Sequence, residues 1–139
     1  FDASTYEIWV PLLNGNTVVL APTGDLDVHT YHRVITDQQI TAVFLTTALF
    51  NLLTEHDPAC LAGVREVWTG GEAVSAVSVR RVQEACPSVV VVDVYGPTET
   101  TTFATHNPVP TPYTGPAVVA IGRPMATMHA YVLDDALQP

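Results

Sequence analysis

Apolar positions recur with helical spacing at the start of the chain, where Ile8, Trp9, Leu12 and Leu13 follow a Ser4 or Thr5 cap and Glu7 stands at capping-box distance from Ser4. Asn14-Gly15 ends that predicted helix. Residues 17–21 form a nearly continuous apolar run closed by Pro22 and Gly24, the pattern of a buried strand. Asp25 and Asp27 then open a second helix to about Gln39, with Val28, Tyr31, Val34 and Ile35 on one face and Arg33, Asp37 and Gln38 on the other.

Strand and helix patterns alternate from there. Residues 41–45 are β-branched and apolar, Thr46 or Thr47 caps a helix over 48–55, and 64–69 is the next strand, broken by Gly70-Gly71. Ser75 caps a helix through Ala85, Pro87 stops it, and 89–94 is a strand with five valines. Strands apolar on both faces, each followed by an amphipathic helix, predict an α/β fold: a doubly wound, flavodoxin-like, mostly parallel sheet with helices on both faces. The period is lost from Gly96 to Pro116 in a Thr- and Pro-rich loop, after which 118–121 and 130–133 resume short strands.

Composition narrows the class. The 139 residues suit one domain, and 47% hydrophobic with 14% charged residues is a globular balance. Five Lys plus Arg against fourteen Asp plus Glu give a net charge of −9, a field that repels polyanions and argues against a nucleic-acid partner. A small nucleotide stays possible, because backbone N–H groups at loops and helix starts bind phosphate even in an acidic protein. Cys60 and Cys86 show no CxxC spacing and read as reduced and structural. Every apolar run breaks well before the ~18 positions a membrane span needs, so we expect a soluble, cytoplasmic protein with no membrane partner. A start at Phe1 without Met and a stop at Pro139 soon after a strand-like run read as an excerpt of a longer polypeptide.

In open parallel sheets ligands bind beyond the carboxyl ends of the strands, which directs attention to the loops after Leu45, Thr69 and Val94. Trp68-Thr69-Gly70-Gly71-Glu72 lets backbone approach a flat ring closely, or simply makes a tight turn. The run from Tyr95 through Gly96-Pro97 to Thr102 combines an aromatic face, a turn, hydroxyls and a carboxylate. There Tyr95 is suited to stack on a purine, Thr98 to donate to a phosphate oxygen and Glu99 to hold Mg²⁺; a plain capped loop reads equally well. Asp2, flanked by Phe1, Ala3 and Tyr6, is either a charge favoured by the helix start or a carboxylate for an ammonium. No GxxxxGK[ST], GxGxxG or HExxH occurs, no Ser-His-Asp order is defensible, and His29 with His32 lacks a third metal ligand.

Phe1-Asp2-Ala3-Ser4 opening a helix that ends Leu12-Leu13-Asn14-Gly15, then Gly70-Gly71-Glu72, Tyr95-Gly96-Pro97-Thr98-Glu99-Thr100-Thr101, Ile121-Gly122-Arg123-Pro124 and Tyr131-Val132-Leu133-Asp134, closely resembles the adenylation domain of nonribosomal peptide synthetases. The resemblance covers the whole chain and implies part of the large N-terminal subdomain of an adenylate-forming enzyme. It divides residues 1–139 into the substrate-pocket and adenine-binding segment, a Thr/Pro-rich loop over 104–120 and the start of a following strand region over 121–139. It implies activation of an amino acid by ATP as an aminoacyl adenylate, with pyrophosphate released, and transfer to the phosphopantetheine of a peptidyl carrier domain beside a condensation domain.

By the same resemblance Glu99 would hold Mg²⁺ and Thr98 would touch the α-phosphate, these two being the catalytic pair. Tyr95, Gly96, Gly70, Gly71 and Glu72 would enclose the adenine, and Asp93, where the family commonly has Asn, would accept from its amino group. Asp2 would bind the α-ammonium, and Ala3, Tyr6, Phe44, Trp68, Gly70, Val94, Thr102 and Phe103 would line an uncharged pocket suited to isoleucine or valine. The family's phosphate loop would precede Phe1, and its ribose-binding Asp and catalytic Lys would follow Pro139, so the 139-residue piece alone is expected to make no adenylate. A fatty-acyl or aryl ligase and a free-standing nucleotide-binding module are the alternatives.

Overall fold

A computed structural model describes residues 2–24 and 27–139. Its centre is a parallel ladder of Ala42–Thr46 (β1), Glu66–Gly70 (β2) and Val90–Tyr95 (β3), rich in the β-branched and aromatic residues that suit a pleated surface. Thr105–Pro108 (β4) and Arg123–Pro124 (β5) extend it antiparallel, giving the order β1-β2-β3-β4-β5. The crossovers between parallel strands are Thr47–His56 (α1) and Ala76–Ala85 (α2). Ser4–Leu13 (α3) and Val28–Asp37 (α4) precede the sheet in the chain. The α/β, mostly parallel architecture expected from the alternation is present.

Alternation along each strand sends successive side chains to opposite faces. Leu45, Val67 and Val91 face a core closed by Phe50 and Leu53 of α1, Val79 and Val82 of α2, and Ile35 of α4. Phe44 and Trp68 face the other way, where Tyr6 of α3 stacks on Trp68. Three helix starts use the side chains expected: Asp27 accepts from the Thr30 amide at 2.7 Å, Thr46 from Leu49 at 3.4 Å and Ser75 from Val77 at 3.2 Å. Asp25, also offered as an opener, lies outside the described residues, as does Phe1.

Other expectations need correction. Ser4 does not cap α3: Ala3 is already helical, and the amides of Thr5 and Tyr6 bond to the carbonyls of Asp2 and Ala3 at 2.9 and 3.1 Å, so backbone acceptors take the donors a cap would satisfy. Residues 17–21 form no strand, and Leu20 is 85% exposed. Apolar content sets a preference for burial, but a strand also needs a neighbour to bond, and none of the described residues supplies one. Residues 118–121 contribute only a bridge from Val118 to Ser75, and 130–133 are exposed. Conversely the Thr/Pro-rich loop contains β4, hidden because Pro108, Asn107 and His106 are poor strand formers that an edge position tolerates.

No described helix is long and apolar enough to cross a membrane. Both cysteines are free and buried, and burial, with Asp57 and Cys86 nearby, pushes the Cys60 thiol up to about 12. Burial also raises Cys86, whose Sγ donates to the Pro58 carbonyl at 3.4 Å. A thiol reagent at pH 8 should therefore label both residues on the order of 100-fold faster after denaturation than in the native protein. Rapid native labelling at either position would show that the site opens.

Candidate functional site

The carboxyl ends of β1, β2 and β3 lie side by side because the three strands are in register. Thr46 pairs with Gly70 and Gly70 with Val94, so Gly70 and Val94 share the face that carries Phe44 and Trp68. Gly70 is dictated by proximity: a Cβ there would collide with the Val94 carbonyl oxygen. Gly71 follows with φ +98, and the Glu72 carbonyl accepts from the Thr47 hydroxyl at 3.2 Å. The Gly70-Gly71-Glu72 turn is thereby held over the end of β1.

On that face four rings form one cluster. Tyr6 stacks on Trp68 with centroids 4.6 Å apart, and Phe103 lies 5.9 Å from Tyr6, 5.8 Å from Trp68 and 5.5 Å from Phe44. Burial, with Glu66 and Glu7 adding like charge, keeps the Tyr6 phenol protonated far above neutral pH. The Trp68 indole N–H donates to Glu66 at 3.0 Å, so the ring's polar edge is satisfied at the sheet surface. Ala3 is buried and Asp2 half-buried at the head of α3. The sequence-predicted pocket residues Asp2, Ala3, Tyr6, Phe44, Trp68, Gly70, Val94, Thr102 and Phe103 thus belong to one side of the sheet.

The loop from β3 to β4 carries the denser motif. Tyr95 is half-exposed at the end of β3, and Pro97 leads into a short 3-10 turn over Thr98–Thr100. The Thr100 amide and hydroxyl both donate to the Pro97 carbonyl at 2.9 Å, while Thr98 and Glu99 remain exposed on the outside of the turn. Among the described residues Glu99 has no ion-pair partner. An exposed carboxylate beside a hydroxyl is a hard oxygen donor set, which fits Mg²⁺ held largely by a ligand's phosphates. Thr101 and Thr102 then take left-handed backbone, φ 57 and 80, and the Thr102 hydroxyl donates to the Asp2 carbonyl at 2.9 Å.

Asp93 stands apart from the ring cluster. In register with Thr69, it faces the helix-covered side of the sheet and is 2% exposed. Burial pushes its carboxyl up to about 7 against the lowering effect of the Val94 backbone. The fully buried Thr69 hydroxyl beside it has no hydrogen-bond partner among the described residues, nor does Nδ1 of His106, which pairs with Val94 through β4. Sequence reasoning passed over both. The inward position of Thr69, two residues after the inward Val67, was visible in the strand alternation, whereas His106 could not be placed without β4.

Residues 1–139 match the AMP-binding enzyme family. The chain is 40% identical over 139 residues to a linear gramicidin synthase of Brevibacillus parabrevis, covering 100% of this chain and 3% of that protein. It is 38% identical over 135 residues to surfactin synthase subunit 1 of Bacillus subtilis (strain 168), covering 96% and 4%. The solved structure of PA1221, an NRPS protein containing adenylation and PCP domains, matches with TM-score 0.94 and 38% identity over 99% of this chain and 28% of that one. The Klebsiella oxytoca NpsA N-terminal subdomain in complex with 3-hydroxybenzoyl-AMSN matches with TM-score 0.89 and 26% identity, over 100% and 36%.

The Asp93 environment has a measurable sign. Unfolded, this carboxyl titrates at its ordinary value of about 4; folded, it keeps its proton to about 7. Between those values the native state binds the extra proton, so the residue's contribution to stability is present at acid pH and is lost as pH rises from about 4 to about 7. Denaturant unfolding of the intact protein should show that decline, and Asp93→Asn should flatten it. Equal slopes for both proteins would mean that Asp93 is ionised throughout.

Proposed function

This chain belongs to the AMP-binding enzyme family, and from that premise we propose that it forms the substrate- and adenine-binding segment of an amino-acid-activating adenylation domain in a nonribosomal peptide synthetase. The observation that carries the reading is the meeting of two motifs about 100 residues apart. The head of α3, with Asp2, and the loop bearing Thr98 and Glu99 are joined by the Thr102 to Asp2 hydrogen bond beyond the ends of parallel strands.

In the reaction, a carboxylate oxygen of the amino acid attacks the α-phosphorus of ATP, the bond to pyrophosphate breaks, and an aminoacyl adenylate remains. Asp2 neutralises the substrate ammonium in a half-buried setting where an unpaired charge would be costly. Thr98 donates to an α-phosphate oxygen, and Tyr95 and the Gly70-Gly71-Glu72 turn hold the adenine, so most of the barrier is lowered by positioning. Asp93 accepts from the adenine amino group through a carboxyl oxygen, which the protonated form it keeps to about 7 also offers. Mg²⁺ held by Glu99 would neutralise phosphate charge as it develops. A carrier-domain thiol then displaces AMP.

The ring cluster supports an apolar side chain, isoleucine or valine ahead of leucine. A charged side chain would be left unpaired against Phe44, Trp68 and Phe103. The Thr102 hydroxyl donates its proton to the Asp2 carbonyl and so offers the wall no free donor.

Amino-acid-dependent exchange of pyrophosphate into ATP by the intact protein should peak at isoleucine or valine across the proteinogenic set. Asp2→Ala should lower kcat/KM by at least about 100-fold, the cost of leaving an ammonium without its partner, and Glu99→Gln should raise the Mg²⁺ requirement. A best substrate that is charged or a large aromatic amino acid would overturn the pocket reading. Exchange supported only by fatty or aryl acids, indifferent to Asp2→Ala, would replace it with an acyl or aryl ligase.

A further inference from the structure

We infer that Thr102 is a positioning residue that couples the amino-acid site to the nucleotide site, an inference that rests on the function proposed above. Its hydroxyl donates at 2.9 Å to the Asp2 carbonyl, which also accepts the first turn's bond from the Thr5 amide at 2.9 Å. The atom that starts helix α3 is therefore shared with the loop after β3. Movement of that loop displaces the backbone that aims the Asp2 carboxylate.

The loop is built to transmit such a movement. Its base is closed by the Ala104 amide bonding to the Tyr95 carbonyl at 2.8 Å, and its turn by the Thr101 amide bonding to the Thr98 carbonyl at 3.1 Å. Gly96 packs so closely on the far limb that a Cβ would collide with the Thr102 carbonyl oxygen. Thr101 and Thr102 both sit in left-handed backbone, unfavourable for β-branched residues and kept there only by surrounding contacts. Thr102 is 6% exposed. Between Thr98, on the phosphate side, and Asp2, on the ammonium side, lies a short, closed segment ending in one directional bond. A nucleotide that orders Thr98 and Glu99 removes freedom from Asp2, and an amino acid that orders Asp2 removes freedom from the turn, so each ligand tightens the other by the same factor.

The test uses the intact protein, its best amino acid from the exchange assay, and an ATP analogue whose α–β bridge cannot be cleaved, with Mg²⁺, with affinities measured by calorimetry. Saturating amino acid should tighten analogue binding by about 10-fold, within the usual range for coupled sites. Thr102→Val, which keeps the shape and removes the donor, should reduce that factor to below about twofold; Thr102→Ser, which keeps the donor, should retain it. The factor is a ratio within one protein, so a general loss of stability leaves it unmoved.

Hydrogen exchange of the unsubstituted protein tests the same point without a variant that must fold. The analogue alone should protect amides of residues 3–6, and the amino acid alone those of 98–104. A coupling factor of one in the parent protein, an unchanged factor in Thr102→Val, or protection confined to each ligand's own segment would overturn the inference while leaving the proposed function intact. Failure of the parent to bind any amino acid would remove the function and this inference together.

Discussion

Register in the three-stranded parallel ladder is the constraint on which the site depends. Ala42 opposite Glu66 and Glu66 opposite Val90 put Phe44, Trp68 and Val92 in one row and Leu45, Thr69 and Asp93 in the next, on the opposite face. Because side chains alternate with period two, a slip of one residue would turn Trp68 into the helix-covered core and Val67 out against Tyr6. The apolar core of Leu45, Val67 and Val91 beneath α1 and α2 opposes such a slip, and in doing so places the ring cluster and the Gly70 turn.

The second dependence is on close backbone approach. Gly70 against the Val94 carbonyl and Gly96 against the Thr102 carbonyl are places where strand end and loop meet with no room for a side chain. They let the loop after β3 fold back toward the head of α3, where Thr102 reaches Asp2. The polar groups on the two faces then differ in environment. Asp93 is pressed into a dry layer beside the buried Thr69 hydroxyl and holds its proton to about 7, while Glu99 stands exposed on its turn. A net charge of −9 makes the long-range field repel anions, so only local donors such as backbone N–H groups at loops and helix starts can offset it.

The fold was legible where local chemistry decided it. Asp27, Thr46 and Ser75 cap the helices they were expected to cap, and the valine-rich runs became β2 and β3 with ends shifted by only a residue or two. Where a partner decided the outcome, local pattern misled: residues 17–21 are apolar enough for a strand and find no ladder among the described residues, while Thr105–Pro108 is a poor strand by composition and pairs because β3 offers an edge. Asp2, Tyr95, Thr98 and Glu99 stood out as unusual residue types at strand and helix ends, but their mutual placement did not.

By itself the sequence determined the alternation of strand and helix, the capped helix starts, the acidic field and the residue types able to meet a nucleotide and an ammonium, because these follow from short-range spacing and from charge. Only the tertiary structure decided which face each strand residue occupies, that Asp93 and Thr69 share a dry layer apart from the ring cluster, that β4 exists, and that Thr102 bonds to Asp2. Each of those depends on contacts between segments far apart in the chain, set by ladder register and core packing, which no local window of residues contains.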